Sequence, residues 1–189
     1  MKVLLIGPPG SGKGTQGERL AAELSIAHIA AGDLLRAEVQ AGTPLGNRVA
    51  AIMQRGDLVP DEVILNLLLP KVLEAAQGNG YVLDGFPRSV DQAVEARKLA
   101  EQADASPDAV VYLDAPRDEL VRRILARAAE QGRADDNEAT VQNRLRVFAD
   151  ATEPLVDYYR ERGLVHVVDA AQDEDAVTAA ILTAIAPTG

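Results

Sequence analysis

The amino-acid sequence predicts an α/β fold, a five-stranded parallel sheet with helices on both faces in three α/β/α layers. Short apolar runs alternate with longer stretches of helical period, as successive βα units require. The runs are continuously apolar rather than alternating, which is the pattern of strands buried on both faces. Each run is followed by a turn signal, and 189 residues suit one such domain with small insertions.

The first strand is predicted at Val3–Ile6 and runs straight into a glycine-rich turn that opens the first helix. Further strands are predicted at Ala27–Ile29, Tyr81–Leu83, Ala109–Leu113 and Leu164–Val168. About fifty residues separate the second strand from the third, more than one crossover helix needs. Gly32, Gly42, Pro44, Gly46, Gly56 and Pro60 divide that stretch into several short helices. After the fourth strand a helix is predicted over Arg117–Arg127, with Leu120, Val121, Ile124 and Leu125 on one side. Residues 128–136 are polar, and the helix that follows, from about Asn137, buries Val141, Leu145 and Phe148. Pro154 kinks that helix or starts the next, with Thr152 as its cap.

Composition narrows the function. Hydrophobic residues make up 47% and charged residues 25%, but aromatics only 3%, so Ala, Val, Leu and Ile must build the core. Nineteen basic against 29 acidic side chains give a net charge of -10. That field repels nucleic acid and anionic membranes, although clustered arginines can reverse it inside a cleft. With no cysteine, disulfides and thiolate-bound zinc are excluded. His28 and His166 lie far apart in sequence and read as core or strand-edge residues. The four apolar residues after Met1-Lys2 are too few for a signal peptide, and no later run could span a bilayer. A cytoplasmic enzyme is expected.

The sharpest motif is Gly7-Pro8-Pro9-Gly10-Ser11-Gly12-Lys13-Gly14-Thr15, placed between a strand and a helix. That context identifies a P-loop. Glycines let backbone N–H groups turn inward around an anion, the helix N-terminus adds partial positive charge, and Lys13 bridges the outer phosphates. A nucleoside triphosphate site is predicted, with Gly10, Ser11, Gly12, Lys13, Gly14 and Thr15 as its residues. A general P-loop places Ser or Thr directly after the lysine, but here Gly14 intervenes before Thr15. Mg2+ is therefore expected to arrive with ATP and to be held through water and phosphate oxygens, without direct protein ligands.

This loop, Gly-x-Pro-Gly-x-Gly-Lys-Gly-Thr, resembles that of the adenylate kinase family. Three further stretches agree: Ala31-Gly32-Asp33-Leu34-Leu35-Arg36, Gly56-Asp57-Leu58-Val59-Pro60-Asp61, and Asp84-Gly85-Phe86-Pro87-Arg88 with Gln92 beyond it. The resemblance implies a core of residues 1–29, 60–127 and 137–189, a helical monophosphate-binding insert at 30–59 and a short lid at 128–136. Residues just past strand ends line the ligand crevice of α/β sheets, which suits Asp84 and Arg88. Two guanidinium forks, Arg36 and Arg88, suit a monophosphate dianion. By resemblance Ala31, Arg36, Val59, Gly85, Arg88 and Gln92 bind AMP. Val59 offers a carbonyl to the base, and Gln92 reads the adenine edge. Asp84, joined by Asp33, is expected to orient magnesium-bound water.

Arg123 and Arg127 share one helical face, with Arg133 and Arg144 beyond them. They resemble the family's lid arginines: Arg123 stacks on the ATP base, Arg127, Arg133 and Arg144 clamp phosphates, and all four serve catalysis with Lys13 and Arg88. Arg133 and Arg144 also reach AMP. Asp135 and Asp136 organise the lid, and a carbonyl near Gln172 touches the ATP adenine. The short lid resembles the zinc-free form of the family. Partners are then the small nucleotides ATP, AMP and ADP, and the family's monomeric habit is expected.

One departure leaves an alternative. Adenylate kinases usually read Ser-Thr-Gly-Asp where this chain has Ala30-Ala31-Gly32-Asp33, and Ala31 resembles the UMP/CMP kinases. Those relatives usually carry Asn in place of Gln92. Because Gln92 meets the base directly, the reading is an AMP kinase with relaxed acceptor choice, with a UMP/CMP kinase as the alternative. A non-catalytic nucleotide-binding switch would not need the second phosphate site or the lid arginines.

Overall fold

The computed structural model describes residues 1–131 and 138–186. Five strands appear in chain order: β1 (Lys2–Ile6), β2 (Ala27–Ala30), β3 (Tyr81–Asp84), β4 (Ala109–Asp114) and β5 (Val165–Asp169). All pairings are parallel, in the spatial order β2-β3-β1-β4-β5. The chain leaves β1 for one edge, returns to β3, and then crosses β1 to reach β4. The strand order thus reverses beside β1, and the crevice beyond the carboxyl ends of β1, β3 and β4 is where such sheets take ligands.

Successive side chains of β1 point to opposite faces, and helices cover both. Leu4 and Ile6 join Leu83, Ile29 and Tyr81 on one face. There they meet Ile64 and Leu68 of α4 (Asp61–Gln77), Ala93 of α5 (Val90–Gln102), and Leu155 and Tyr159 of α8 (Glu153–Arg160). Val3 and Leu5 join Val82, Val111 and Leu113 on the other, against Leu20 of α1 (Lys13–Leu24) and Val177 and Ile181 of α9 (Glu174–Ala184). Burial on both faces is why β1, β3 and β4 are so apolar; the edge strands β2 and β5 are less buried than expected, carrying His28 and His166 and leaving Val167 58% exposed.

Three helices fill the connection from β2 to β3: α2 (Ala31–Gln40), α3 (Pro44–Arg55) and α4. Thr43 caps α3 by accepting a hydrogen bond from the Gly46 N–H at 2.9 Å, Pro44 follows at the first helical position, and Gly56 ends the helix in the left-handed region. After β4 come α6 (Arg117–Gln131) and α7 (Glu138–Val147), which bury Leu120, Ile124, Val141 and Leu145 as a satellite core.

Three expectations need correcting. Helix α6 runs on to Gln131, past Arg127, so segment 128–136 begins inside a helix and not in a loop. Leu125 is 47% exposed and faces away from the apolar side that Leu120 and Ile124 share. Thr152 does precede α8, after a π-helical turn at Phe148–Thr152, but its side chain makes no cap. Its hydroxyl instead donates to the Arg88 carbonyl at 2.8 Å, bracing the loop after β3.

Candidate functional site

The cradle is built where β1 ends. Gly12 stands before α1 at φ 87°, a left-handed conformation that glycine adopts without strain, and no side chain caps the helix. The N–H groups of the first turn, at Gly14 and Thr15, are thereby left for an anion. A side chain at Gly12 or Gly14 would meet open space, the space a phosphate chain would use, whereas one at Gly10 would strike the Leu120 carbonyl of α6 at 2.6 Å. Ser11 is buried, and Thr15 is exposed on α1.

Lys13 folds back over the loop, donating to the carbonyls of Gly7 at 2.8 Å and Pro8 at 3.1 Å. Its pKa is lowered from 10.5 to about 8. Burial is the main cause, Asp84 opposes it, and the positive charges of Arg88, Arg127 and Arg144 reinforce it. The same influences show that residues from the loop, β3, α6 and α7 converge on one point.

On the β3 side lies a cleft with about 540 Å³ of empty space, its mouth included. Ala31, Arg36, Val59, Gly85, Arg88, Gln92 and Arg144 all line it, so seven of the eight residues predicted to bind AMP come together. The eighth, Arg133, lies outside the described residues, as do Asp135 and Asp136. Arg88 faces the cleft and donates from Nε to the Gly85 carbonyl at 2.9 Å. Surrounding protein, then Arg144 and Arg36, lower its pKa, while Asp84 opposes them. The cleft thus gathers three guanidinium groups, with Asp33 paired to Arg36 and the Asp84 carboxylate near Arg88.

Asp33 pairs with Arg36 at 2.5 Å, so its carboxylate orients that guanidinium. Asp84 has a buried Oδ1 with no hydrogen-bond partner, as does the Ser11 hydroxyl. Polar oxygens left in this way suit a water-coated cation better than a structural ion pair. Among the described residues no group of three or more His, Cys, Asp or Glu is arranged to hold a metal ion.

On the β5 side, Arg123 donates from Nη1 to the Ala170 carbonyl at 2.8 Å and from Nε to Glu119 at 2.6 Å. Hydrogen bonds from Arg122 and then Arg123 pull the Glu119 carboxyl down to about 2. Gln172 lies in the same loop as Ala170, its amide donating to the Asp169 carbonyl at 3.1 Å. Arg123 and Gln172 therefore sit together at the end of the cradle opposite the cleft, and Arg127 lies one helical turn further along α6.

Sequence reasoning missed several supports. Gln92 is the third residue of α5, whose cap is Ser89, and Ser-x-x-Gln is a capping-box pattern that could have been noticed. Its amide oxygen accepts the Arg88 N–H, and its amide nitrogen donates to Asp61, each at 2.7 Å. Asp61 is 31 residues away in sequence, and no local pattern announces that contact.

Comparison with known proteins agrees with this geometry. A family model described as adenylate kinase matches residues 5–164. The chain is 47% identical to an adenylate kinase of Stenotrophomonas maltophilia over 98% of this chain and 99% of that one. It is 48% identical to one of Thermus thermophilus over 97% and 96% of the two chains. With one of Leptospira biflexa it shares 40% identity over 97% and 99%. With a family model over most of its length and relatives this similar from end to end, the chain belongs to the adenylate kinase family.

Proposed function

We propose that the chain reversibly transfers the terminal phosphoryl group of Mg-ATP to AMP, giving two ADP. What supports this reading is an uncapped helix start at Lys13 with an arginine-lined cleft near it. The cradle at the head of α1 takes the triphosphate, and the cleft holding Arg36 and Arg88 takes the monophosphate. Phosphoryl transfer asks a protein to place donor and acceptor in line and to neutralise spread negative charge. Residues 30–59, with α2 and α3, act as the acceptor-binding insert on the core, and residues 128–136 as a short lid.

Lys13 and the N–H groups of α1 hold the outer phosphates of ATP. Arg88 and Arg36 hold the phosphate of AMP, with Asp33 steadying Arg36. Arg127 and Arg144 lie within electrostatic reach of Lys13 and stabilise the group in flight, joined by Arg133. Arg123, tied to Ala170, and the loop of Gln172 seat the ATP base. Asp84 and Ser11 offer oxygens to water on Mg2+, and that ion, carried with ATP, neutralises charge on the phosphates. Closing the site excludes water, which would otherwise take the phosphoryl group. We place the enzyme in the cytoplasm as a monomer with small nucleotides as its partners; among the described residues no helix is long and apolar enough to cross a membrane.

The test is ADP formation from Mg-ATP with AMP, UMP, CMP and GMP offered separately. A strong preference for AMP supports the proposal. UMP turnover as efficient as AMP turnover would move the chain to the pyrimidine nucleotide kinases, the reading Ala31 favours. Failure to consume ATP with any acceptor would sink both.

A further inference from the structure

Gln92 is 2% exposed at the wall of the acceptor cleft, and two of its amide's bonds are already made. A primary amide has two N–H donors and two acceptor positions on its oxygen. The Arg88 backbone N–H donates to Oε1 at 2.7 Å, and Nε2 donates to Asp61 Oδ1 at 2.7 Å. A backbone N–H only donates and a carboxylate only accepts, so together they admit one orientation of the amide. Turned through half a revolution, Gln92 would set oxygen against carboxylate and N–H against N–H.

One N–H and one oxygen position remain. Adenine offers the complement, an acceptor at N1 and a donor at the exocyclic amine. Hypoxanthine, on a ring of the same size, offers the reverse: a donor at N1 and an acceptor at O6. The flipped amide would read hypoxanthine, and the locked amide cannot. We propose that Asp61 is a positioning residue for acceptor choice, acting with the Arg88 backbone N–H to hold Gln92 in the orientation that takes adenine and refuses hypoxanthine. This rests on the reading that the cleft binds AMP.

The structure argues against a merely local role. Asp61 opens α4, where a carboxylate favours the helix dipole, but Glu62 beside it meets the same need and reaches no cleft residue in the hydrogen bonds seen here. Asp61 is itself exposed, so core packing does not hold it in place, and its carboxylate nonetheless bonds a buried amide.

The experiment compares AMP with inosine monophosphate as acceptors for the full-length enzyme with Mg-ATP. The parent, Asp61→Asn and Glu62→Gln are measured side by side. The amide that Asp61→Asn introduces can turn either end to Gln92, which removes one of the two orienting contacts without changing size and leaves only the Arg88 N–H against the flipped form. In Asp61→Asn the kcat/KM ratio of AMP to inosine monophosphate should fall about 10-fold, through a higher KM for AMP, with the KM for ATP unchanged. Glu62→Gln should leave the ratio as in the parent. Should Asp61→Asn fail to fold, Asp61→Ser keeps a polar start to α4, cannot reach Gln92, and should lower the same ratio. A ratio unchanged in the Asp61 variants, or both acceptors weakened equally, overturns the proposal while the AMP reading stands. A parent that uses both acceptors equally overturns this proposal alone, and a parent that uses neither overturns that reading and this proposal together.

Discussion

Lys13 is an ammonium group that the fold makes reluctant to stay charged, and this gives it a measurable signature. With its pKa lowered to about 8, roughly half of the free enzyme carries a neutral Lys13 at pH 8. Triphosphate binds the ammonium form and raises that pKa again, so binding near pH 8 should take up a proton. The sign follows: ATP affinity should be highest below pH 8 and fall as pH rises through and above it. Calorimetry in two buffers of different ionisation enthalpy should show uptake of about half a proton per Mg-ATP at pH 8 and almost none at pH 6. Equal heats in the two buffers at pH 8 would contradict the assignment, and Lys13→Met should abolish the difference. Arg88 makes a different prediction, because it belongs to the acceptor cleft. Arg88→Ala should raise the KM for AMP on the order of 100-fold or more while changing that for ATP several-fold at most. Equal losses for both nucleotides would argue against a separate acceptor site.

Helices α2 and α3 approach so closely that no side chain fits between them at Gly46. A Cβ there would stand 2.1 Å from the Glu38 carbonyl oxygen and 2.4 Å from its carbon, both backbone atoms that cannot rotate aside. Gly46→Ala should therefore push α3 away from α2, and these helices contribute Met53 and Arg36 to the acceptor cleft. The expected result is a melting temperature lower by about 3–10 °C and a raised KM for AMP, with the KM for ATP near normal. A variant as stable and as active as the parent would mean that the two helices can slide without cost. Gly46 entered the sequence reading only as punctuation between helices, which shows where such reading stops. The central strands were legible because burial on both faces leaves a continuous apolar signal, and the cradle because its spacing is local. The cleft residues were legible through resemblance to family motifs, not through periodicity. The Asp61–Gln92 and Thr152–Arg88 contacts join residues 31 and 64 positions apart, and nothing in either neighbourhood marks its partner. The end of α6 was misread because Ala128-Ala129-Glu130-Gln131 are good helix formers but include no large apolar residue to mark a buried face.

Chain segments remote in sequence meet at the carboxyl end of α3, and this contact bears on how the whole enzyme closes. The Thr140 hydroxyl of α7 donates to the Gln54 carbonyl at 2.8 Å. Asn143 donates to the Arg55 carbonyl at 2.7 Å and to the Asp57 carboxylate at 3.0 Å. Helix α7 thus satisfies carbonyls that α3 cannot satisfy for itself, and the same helix carries Arg144 into the acceptor cleft. Seating α3 against α7 and bringing Arg144 to the cleft are therefore coupled. Asn143→Ala removes two of these bonds, one of them to the cleft-lining Asp57, at a cost of about 1 kcal/mol or somewhat more in the seated state. The KM for AMP should rise about fivefold, with the KM for ATP little changed, because AMP must then drive the seating unaided. Movement can be read directly, since the chain has no native cysteine to compete for a label. Spin labels on Arg48→Cys in α3 and Lys98→Cys in α5, both exposed positions, report how far the insert stands from the core. In the ligand-free protein Asn143→Ala should shift the distance distribution toward longer separations, and saturating AMP with ATP should restore the short one. A distribution unchanged by the substitution would mean that α7 rests on α3 without holding it, and that the arginines alone draw the insert inward.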